Sequence, residues 1–551
     1  MGRNGRSAGG QKGAGCGYHS IVNTPTPIQP APRRPWGRLL LTLCLAASIA
    51  TGPVQSAPVP LKKLPDNSRL PTLGDPVRED LSPVIERKLG EEIMREIRRD
   101  RDFLDDDPTL DYLNNLGAGL VNSVPDARGE TNADFYFFAV RDPVLNAFAL
   151  PGGFIAVHSG LLLAAQTESE LASVLSHEIG HVSQRHIARM LGQQKQDVLL
   201  PLAALVLAIL ASRVSSDASM GILMGGQGLA VQRQLSFTRD AEREADRVGF
   251  QIMGAAGYDT SGMVAFFKRL QTASRSYGEM PANLSSHPLT GDRIADIQAR
   301  IREMPYRQRV DSLEFFLVRS RARVLQDETV QGRIDTRSAF ENQLTLQSRQ
   351  QQAAGQYGLA FLALKQGDLA KARSWLDKAR GTMKPREGPV FSTGQSTSDG
   401  GAMFAGLALE IALAPGQPAA VVQQTVKEAD AARQRYPLSR SIARQYADAL
   451  IAAGKLEEAA VYLRDQVQQY REEPKLYDQL ARTYAAQGKM ALQHMALAES
   501  YVLTGAVPAA VDQLNFARKA KDVSFYDHAV IDARERELQA RQKEEKKEKD
   551  S

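Results

Sequence analysis

His177, Glu178 and His181, in the run His-Glu-Ile-Gly-His, are the side chains of this 551-residue sequence whose types and spacing best suit chemistry. On a helix, residues four apart share a face, so both imidazoles can bind one zinc ion while Glu178 lies on the adjoining face. Zinc acidifies the water it holds toward neutral pKa, and Glu178 is placed to take the proton as that water attacks a peptide carbonyl. The chain contains only 8 histidines. A chance copy of this motif is expected on the order of once per hundred such chains, which leaves surface histidines on a helix a poor alternative.

A catalytic zinc needs three protein ligands and an open position. The segment RDAEREADRVG at 239–249 reads as a helix that puts Glu242 and Asp246 four apart on one face. Glu242 is the expected third ligand, and Asp246 the carboxylate that orients a ligating histidine. Glu244 is the competing ligand, although it points away from that face.

These side chains need elements to hold them. Thr167 with Glu170 three residues on is a capping box, and Leu171, Val174, Leu175 and Ile179 recur at helical spacing, which predicts one helix from Thr167 to about Met190. Residues 134–140 (DFYFFAV) and 154–158 read as strands of a small sheet, separated by a turning stretch, 146–153, that contains Pro151, Gly152 and Gly153. Either strand could offer an open edge to an extended peptide, or both could be buried structural strands. Between the two motif helices lies an apolar run, Val198 to Ala211, with a Gly- and Met-rich stretch at 220–229. Fourteen apolar residues are fewer than the ~20 that span a bilayer. The run reads either as a core helix or as a re-entrant segment, peripheral membrane contact or flap over the site.

Taken together, HEIGH at 177–181, the ExxxD of Glu242 and Asp246, NAFALPGGFIAVHSGLL at 146–162 and SHP at 286–288 resemble the gluzincin peptidases that include the HtpX heat-shock protease and the CAAX prenyl proteases. The resemblance covers roughly residues 75–305. It implies an α+β zincin-like metallopeptidase domain with one Zn2+ per subunit. It also implies His177, His181 and Glu242 as ligands and Glu178 as general base. His287 then either occupies the fourth zinc position at rest and keeps the enzyme latent, or stabilises the oxyanion; Arg293 is a weaker candidate for that electrostatic role. An integral CAAX-type protease would require membrane-spanning helices, which the sequence after its leader lacks. The chain is therefore more similar to the periplasmic branch that enhances β-barrel assembly.

The leader itself, residues 1–56, reads as a long preamble ending in a cleavable signal peptide. Arg33, Arg34 and Arg38 precede a short apolar core, 39–50, and a small-residue cleavage site follows at Ser56. Six cations and no acid lie in it, so its removal takes the formal charge from +5 to −1 and with it the argument for nucleic acid. Both cysteines, Cys16 and Cys44, also fall there, which excludes a disulfide framework or thiolate zinc site from the rest.

After an extended linker at 57–80 and the peptidase domain at 81–305, the composition turns helical. Residues 306–349 read as a helical connector. Gly454 and Gly488 are 34 residues apart with small and aromatic residues at matching offsets, and Gly367 and Gly505 fit the same template. Residues 350–520 therefore resemble an all-α tetratricopeptide-repeat solenoid, with a Gly/Ser/Thr loop at 388–400 and a charged tail at 521–551. Such arrays bind peptides or partner proteins. The residues thus predict a periplasmic zinc endopeptidase fused to a protein-binding array, and the family resemblance implies misfolded or stalled outer-membrane proteins as clients and the outer-membrane β-barrel assembly machinery as partner. A chaperone or assembly scaffold with a latent peptidase domain is the alternative.

Overall fold

A computed structural model of the chain describes residues 82–192, 239–276, 287–305, 307–384 and 400–550. The leader, the linker, the apolar run at 198–211, the Gly/Met stretch at 220–229 and nearly all of the 388–400 loop lie outside the described residues. The chain divides into Met1–Pro65 and Asp66–Ser551, and every described residue belongs to the second unit.

Two helices sandwich a small sheet. The first, α1 (Pro83–Arg99), starts where the Ser82 hydroxyl accepts the Ile85 amide, and it buries Leu89, Ile93, Met94 and Ile97. Those residues pack on Phe138, Phe154 and Ala156, one face of the sheet. The second, α2 (Asp107–Val121), turns Leu113, Leu116 and Leu120 toward Phe137, Ile155 and Val157 on the other face. Alternation along the strands supplies both faces, as the period of two requires.

The strands are β1 (Tyr136–Val140), β2 (Ala147–Leu150) and β3 (Phe154–His158), in the order β1-β3-β2. β1 runs parallel to β3, and β2 runs antiparallel to it. The sequence suggested a turning stretch from 146 to 153. Its first half is instead a third strand, and the turn is confined to Pro151–Gly153. Ala-Phe-Ala-Leu carries no β-branched residue, so its strand character comes from pairing with β3 rather than from propensity.

Short helix α3 (Ser159–Ala164) leads into α4 (Glu168–Ser183), where Thr167 Oγ1 accepts the Glu170 amide at 3.2 Å. The return bond of the box goes one residue further back, Glu170 Oε2 accepting the Gln166 amide at 2.8 Å. The single helix expected to run to Met190 is broken. α4 stops at Ser183, Arg185 takes a left-handed φ of 52°, and α5 (His186–Gly192) sets off anew. The Arg185 guanidinium is held by Glu86 of α1, a contact remote in sequence. After the undescribed segment come α6 (Arg239–Ala255), α7 (Ser261–Ser276) and α8 (Gly291–Glu303).

From residue 313 onward the described chain is wholly helical. It runs through α9 (Leu313–Gln326), α10 (Val330–Gln343), α11 (Arg349–Lys365), α12 (Leu369–Met383), α13 (Gly401–Ala412) and α14 (Ala419–Arg435). It continues with α15 (Arg440–Ala452), α16 (Leu456–Gln469), α17 (Pro474–Ala486), α18 (Met490–Leu503), α19 (Val507–Lys519) and α20 (Phe525–Asp550). Gly367, Gly454, Gly488 and Gly505 each turn the chain between consecutive helices with φ of 73° to 77°, which a side chain would strain. Ala372 and Leu376, and likewise Ala510, Leu514 and Ala517, are buried between helices. Because Gly488 and Gly505 flank the same helix, α18 is shared by two hairpins. The charged run at the end lies in helix α20, where Ile531 and Leu538 are buried.

A buried ionic hub ties the two parts together. Asp106 caps α2, accepting from the Thr109 amide and hydroxyl, and it also takes Nε and Nη2 of Arg321 from α9. Arg321 in turn reaches Glu410 of α13 and the Tyr357 hydroxyl of α11. Burial alone would push the Asp106 carboxyl up, but the Arg321 charge and hydrogen bonds outweigh it and hold the pKa below the ordinary value. Arg321→Leu leaves two carboxylates buried without their cation, and a loss of about 3–5 kcal/mol is expected in urea unfolding. The contribution of Asp106 is fully present above the unfolded carboxyl pKa of ~3.9 and is lost as pH falls through the lower folded value. The stability gap between wild type and Asp106→Asn therefore narrows below about pH 4, which unfolding curves across that range would record.

Candidate metal centre

The second half of α4 is buried on every side, His177, Glu178 and His181 included. Helix α6 crosses it at a distance only glycine allows. A Cβ on Gly249 would fall 2.9 Å from the His177 amide nitrogen, and one on Gly180 would fall 2.9 Å from the Ala245 carbonyl oxygen. Both are well inside van der Waals contact, so the two backbones meet directly and the acidic face of α6 is brought onto the histidines.

At this crossing, His177 Nε2 and His181 Nε2 are 3.0 Å apart. Glu242 places Oε2 3.5 Å from His177 Nε2 and Oε1 3.5 Å from His181 Nε2. Donors about 2.0–2.1 Å from one ion in tetrahedral arrangement stand roughly 3.3 Å apart, so this triangle has the dimensions of a metal's ligand set. His287 completes a buried group whose ligand atoms all lie within 4.8 Å of one another. Its Nδ1 is 2.8 Å from Glu242 Oε1, and its Nε2 is 3.8 Å from Glu178 Oε1.

Charge makes the same case. Burial, the largest influence on His177, disfavours its cation, yet hydrogen bonds and charge from Asp246 and Glu242 raise its pKa to about 10. Burial also opposes the Glu242 anion, but His287, His177 and His181 outweigh it and hold the carboxyl well below the ordinary range. For His181 burial prevails and the pKa falls well below the ordinary value. The cluster thus favours a positive charge at its centre while keeping one imidazole neutral. Two imidazoles and a carboxylate in this geometry fit a divalent metal ion.

Glu178 stands beside the triangle. Its Oε2 accepts the Ala149 amide of β2 at 3.0 Å, while Oε1 has no hydrogen-bond partner among the described residues. Burial raises its pKa, as suits a base that must later give its proton back. A cavity of about 20 Å³, room for one water molecule, borders Glu178, His177 and His287 and is walled by Val174, Phe266 and Leu270.

Around the donors is a supporting network. Asp246 Oδ1 lies 2.9 Å from His177 Nδ1, and Arg293 grips Asp246 through Nε at 2.6 Å and Nη2 at 2.8 Å. The same guanidinium reaches Glu242 Oε2 at 2.7 Å, so one buried cation fixes both acids. His181 is held through His186, whose Nδ1 is 2.8 Å from His181 Nδ1 and whose Nε2 is 3.0 Å from Glu244. Arg189 bonds the same Glu244 oxygen at 2.8 Å. Glu244, the competitor for the third ligand position, is therefore turned to His186 and Arg189 and lies outside the donor set. Sequence reasoning missed His186. Its signal was the next histidine after the motif beside an unused acid on the second helix, and the break at Arg185 is what turns it inward.

Residues 119–301 match peptidase family M48. This stretch is similar to the peptidases of that family. The chain is 37% identical to a putative β-barrel assembly-enhancing protease of Vibrio cholerae over 284 residues, 52% of this chain and 56% of that protein. It is 29% identical to the β-barrel assembly-enhancing protease of Escherichia coli over 465 residues, 84% of this chain and 90% of that one. A mitochondrial metalloendopeptidase OMA1 of Schizosaccharomyces pombe is 26% identical over 222 residues, 40% of this chain and 62% of that protein. The matched region thus spans little more than half of the Vibrio relative and nearly all of the Escherichia coli one. The M48 match contains the whole donor set and its network, from the motif helix to Arg293, and makes the chain a metallopeptidase. Because partners that orient a ligand are typically worth 10–100-fold in metal affinity, His186→Ala is expected to weaken metal binding by about that factor. Competition with a chromogenic chelator measures it.

Proposed function

We propose that this chain is a zinc endopeptidase of the bacterial envelope that cuts misfolded or stalled outer-membrane β-barrel proteins. The observation that carries the peptidase reading is the His177, His181 and Glu242 triangle with Glu178 Oε1 beside it. When bound, the zinc would supply Lewis acidity to a water and to a substrate carbonyl. Glu178 takes the water's proton on Oε1, with its other oxygen fixed by the Ala149 amide, and passes it to the leaving nitrogen. Asp246 keeps His177 oriented, and His186 does the same for His181.

β2 is an edge of the three-stranded sheet and is the strand bonded to Glu178. A substrate backbone added to that edge lies alongside the general base, which is how extended peptides are held by sheets. His287 would supply a further donor to a bound metal at rest and would give it up when a substrate arrives; its place within the donor group and the one-water cavity support a latent resting form. Residues 350–520 form tetratricopeptide-like hairpins that bind clients or the assembly machinery, a reading supported by the glycine turns and the buried Ala and Leu positions. The relatives named for β-barrel assembly and the signal-like leader support the envelope location and this choice of client. No helix of the described residues is long and apolar enough to cross a membrane.

Digestion of an unfolded outer-membrane protein by zinc-loaded protein tests the reading. Wild type is expected to cut, Glu178→Gln to bind zinc but lose at least a thousandfold in rate, chelator to abolish cleavage, and His287→Ala to raise basal cleavage. Failure of both zinc-loaded wild type and His287→Ala to cut would turn the account toward a scaffold.

A further inference from the structure

Phe316, Arg319, Ser320 and Arg323 recur on α9 at helical spacing and so share one face. They border an open cavity of about 320 Å³ between α9, α10 and α11. Leu163, Phe316, Phe340 and Leu346 give it an apolar floor, and Asn342, Gln343 and Gln351 bring side-chain amides to its wall.

The two guanidinium groups are half-buried, and among the described residues neither forms an ion pair. Arg319 donates through Nη2 to the Leu163 carbonyl at 2.9 Å, and its Nε is buried without a hydrogen-bond partner. Nothing offsets the desolvation of Arg323, whose pKa burial pushes down, and burial followed by the Arg323 charge does the same to Arg319. Placing two like charges one turn apart on a partly buried face is costly without an anion between them. Elsewhere in the fold buried arginines are matched with acids, as Arg321 and Arg293 are. Arg319 and Arg323 have no such acid within ion-pair distance among the described residues.

We propose that the cavity binds the C-terminal carboxylate of a polypeptide whose last side chain is apolar. Guanidinium groups present planar forks that match a carboxylate's two oxygens. A chain terminus carries that carboxylate and its side chain on one Cα, so the anion meets the arginines while the side chain rests on the Phe316 and Phe340 floor. The amides of Asn342, Gln343 and Gln351 suit the last peptide group. An anionic phospholipid offers a similar charge but brings two acyl chains, more than a cavity of this size holds. The site lies close to the active-site helix. Arg319 feels the charge of Glu170 in the first turn of α4, and His177 follows seven residues later, about 10 Å along the axis. The inference rests on the reading that this protein handles polypeptides, and its test does not require that it cut them.

The test is calorimetric titration of the full chain carrying Glu178→Gln, so that no peptide is consumed. The probe is N-acetyl-alanyl-alanyl-leucine as free acid and as C-terminal amide, with inorganic phosphate and vesicles containing an anionic phospholipid as separate arms. The free acid is expected to bind, the amide to bind at least tenfold more weakly, and Arg323→Gln to reduce acid binding at least tenfold with an unchanged thermal transition. Equal binding of acid and amide, or no binding of the acid, overturns the proposal. So does arginine-dependent binding of phosphate or vesicles without binding of the acid. The acid–amide comparison needs no arginine variant and stands even where Arg323→Gln fails to fold. Loss of cleavage in the wild-type digestion assay would sink the peptidase reading and leave this result untouched.

Discussion

The direct meeting of two helix backbones, α4 and α6, is the constraint on which the centre depends. Gly180 and Gly249 have no Cβ, and any side chain there would collide with the backbone of the other helix. The resulting closeness lets a carboxylate from α6 reach imidazoles on α4 with donor separations of 3.0–3.5 Å. A crossing widened by one methyl group would leave Glu242 short of at least one histidine. It also explains how two acids can be buried side by side: Arg293 bonds both Glu242 and Asp246, and the imidazoles supply the remaining partners. Buried carboxylates are tolerated where charge and hydrogen bonds meet them on every side.

The helical half depends on a comparable device. Asp106 is at once the cap of α2 and the counter-ion of Arg321, so the position of α9 is tied to the helix that covers the sheet. Asp111 of α2 adds a second tie, accepting the Ser439 hydroxyl and the Ser441 amide where α15 begins. Burial raises its pKa to about 6 despite those bonds. Both ties start on α2, so the peptidase portion and the hairpins share a reference element. Any pull on α15 acts on the same helix that packs beneath β1.

Much of the centre was legible because its residues announce themselves locally. His177, Glu178 and His181 are set by helical spacing, and Glu242 and Asp246 by the same spacing on a second helix. The structure brings all five together with His287, which no spacing could place and which the SHP motif and the family resemblance pointed to. The glycine turns of the hairpins were legible for a similar reason, since positive φ selects a residue type. What escaped was decided by contacts between elements. β2 is a strand through pairing with β3, and the break before His186 reflects Arg185 reaching Glu86. The unpaired state of Arg319 and Arg323 could not be read either, because a sequence shows which charges exist and not which ones meet.

X-ray absorption at the zinc edge, on the zinc-loaded chain and on Gly249→Leu, tests most directly whether the helix crossing makes the site. Wild type is expected to show a shell of nitrogen and oxygen donors at about 2.0–2.1 Å containing at least two imidazoles. Gly249→Leu is expected to lose the carboxylate donor and stoichiometric zinc while keeping its helical signal. Unchanged ligation and affinity in Gly249→Leu would contradict that role for the crossing, because the donors would then assemble without the contact held here to place them.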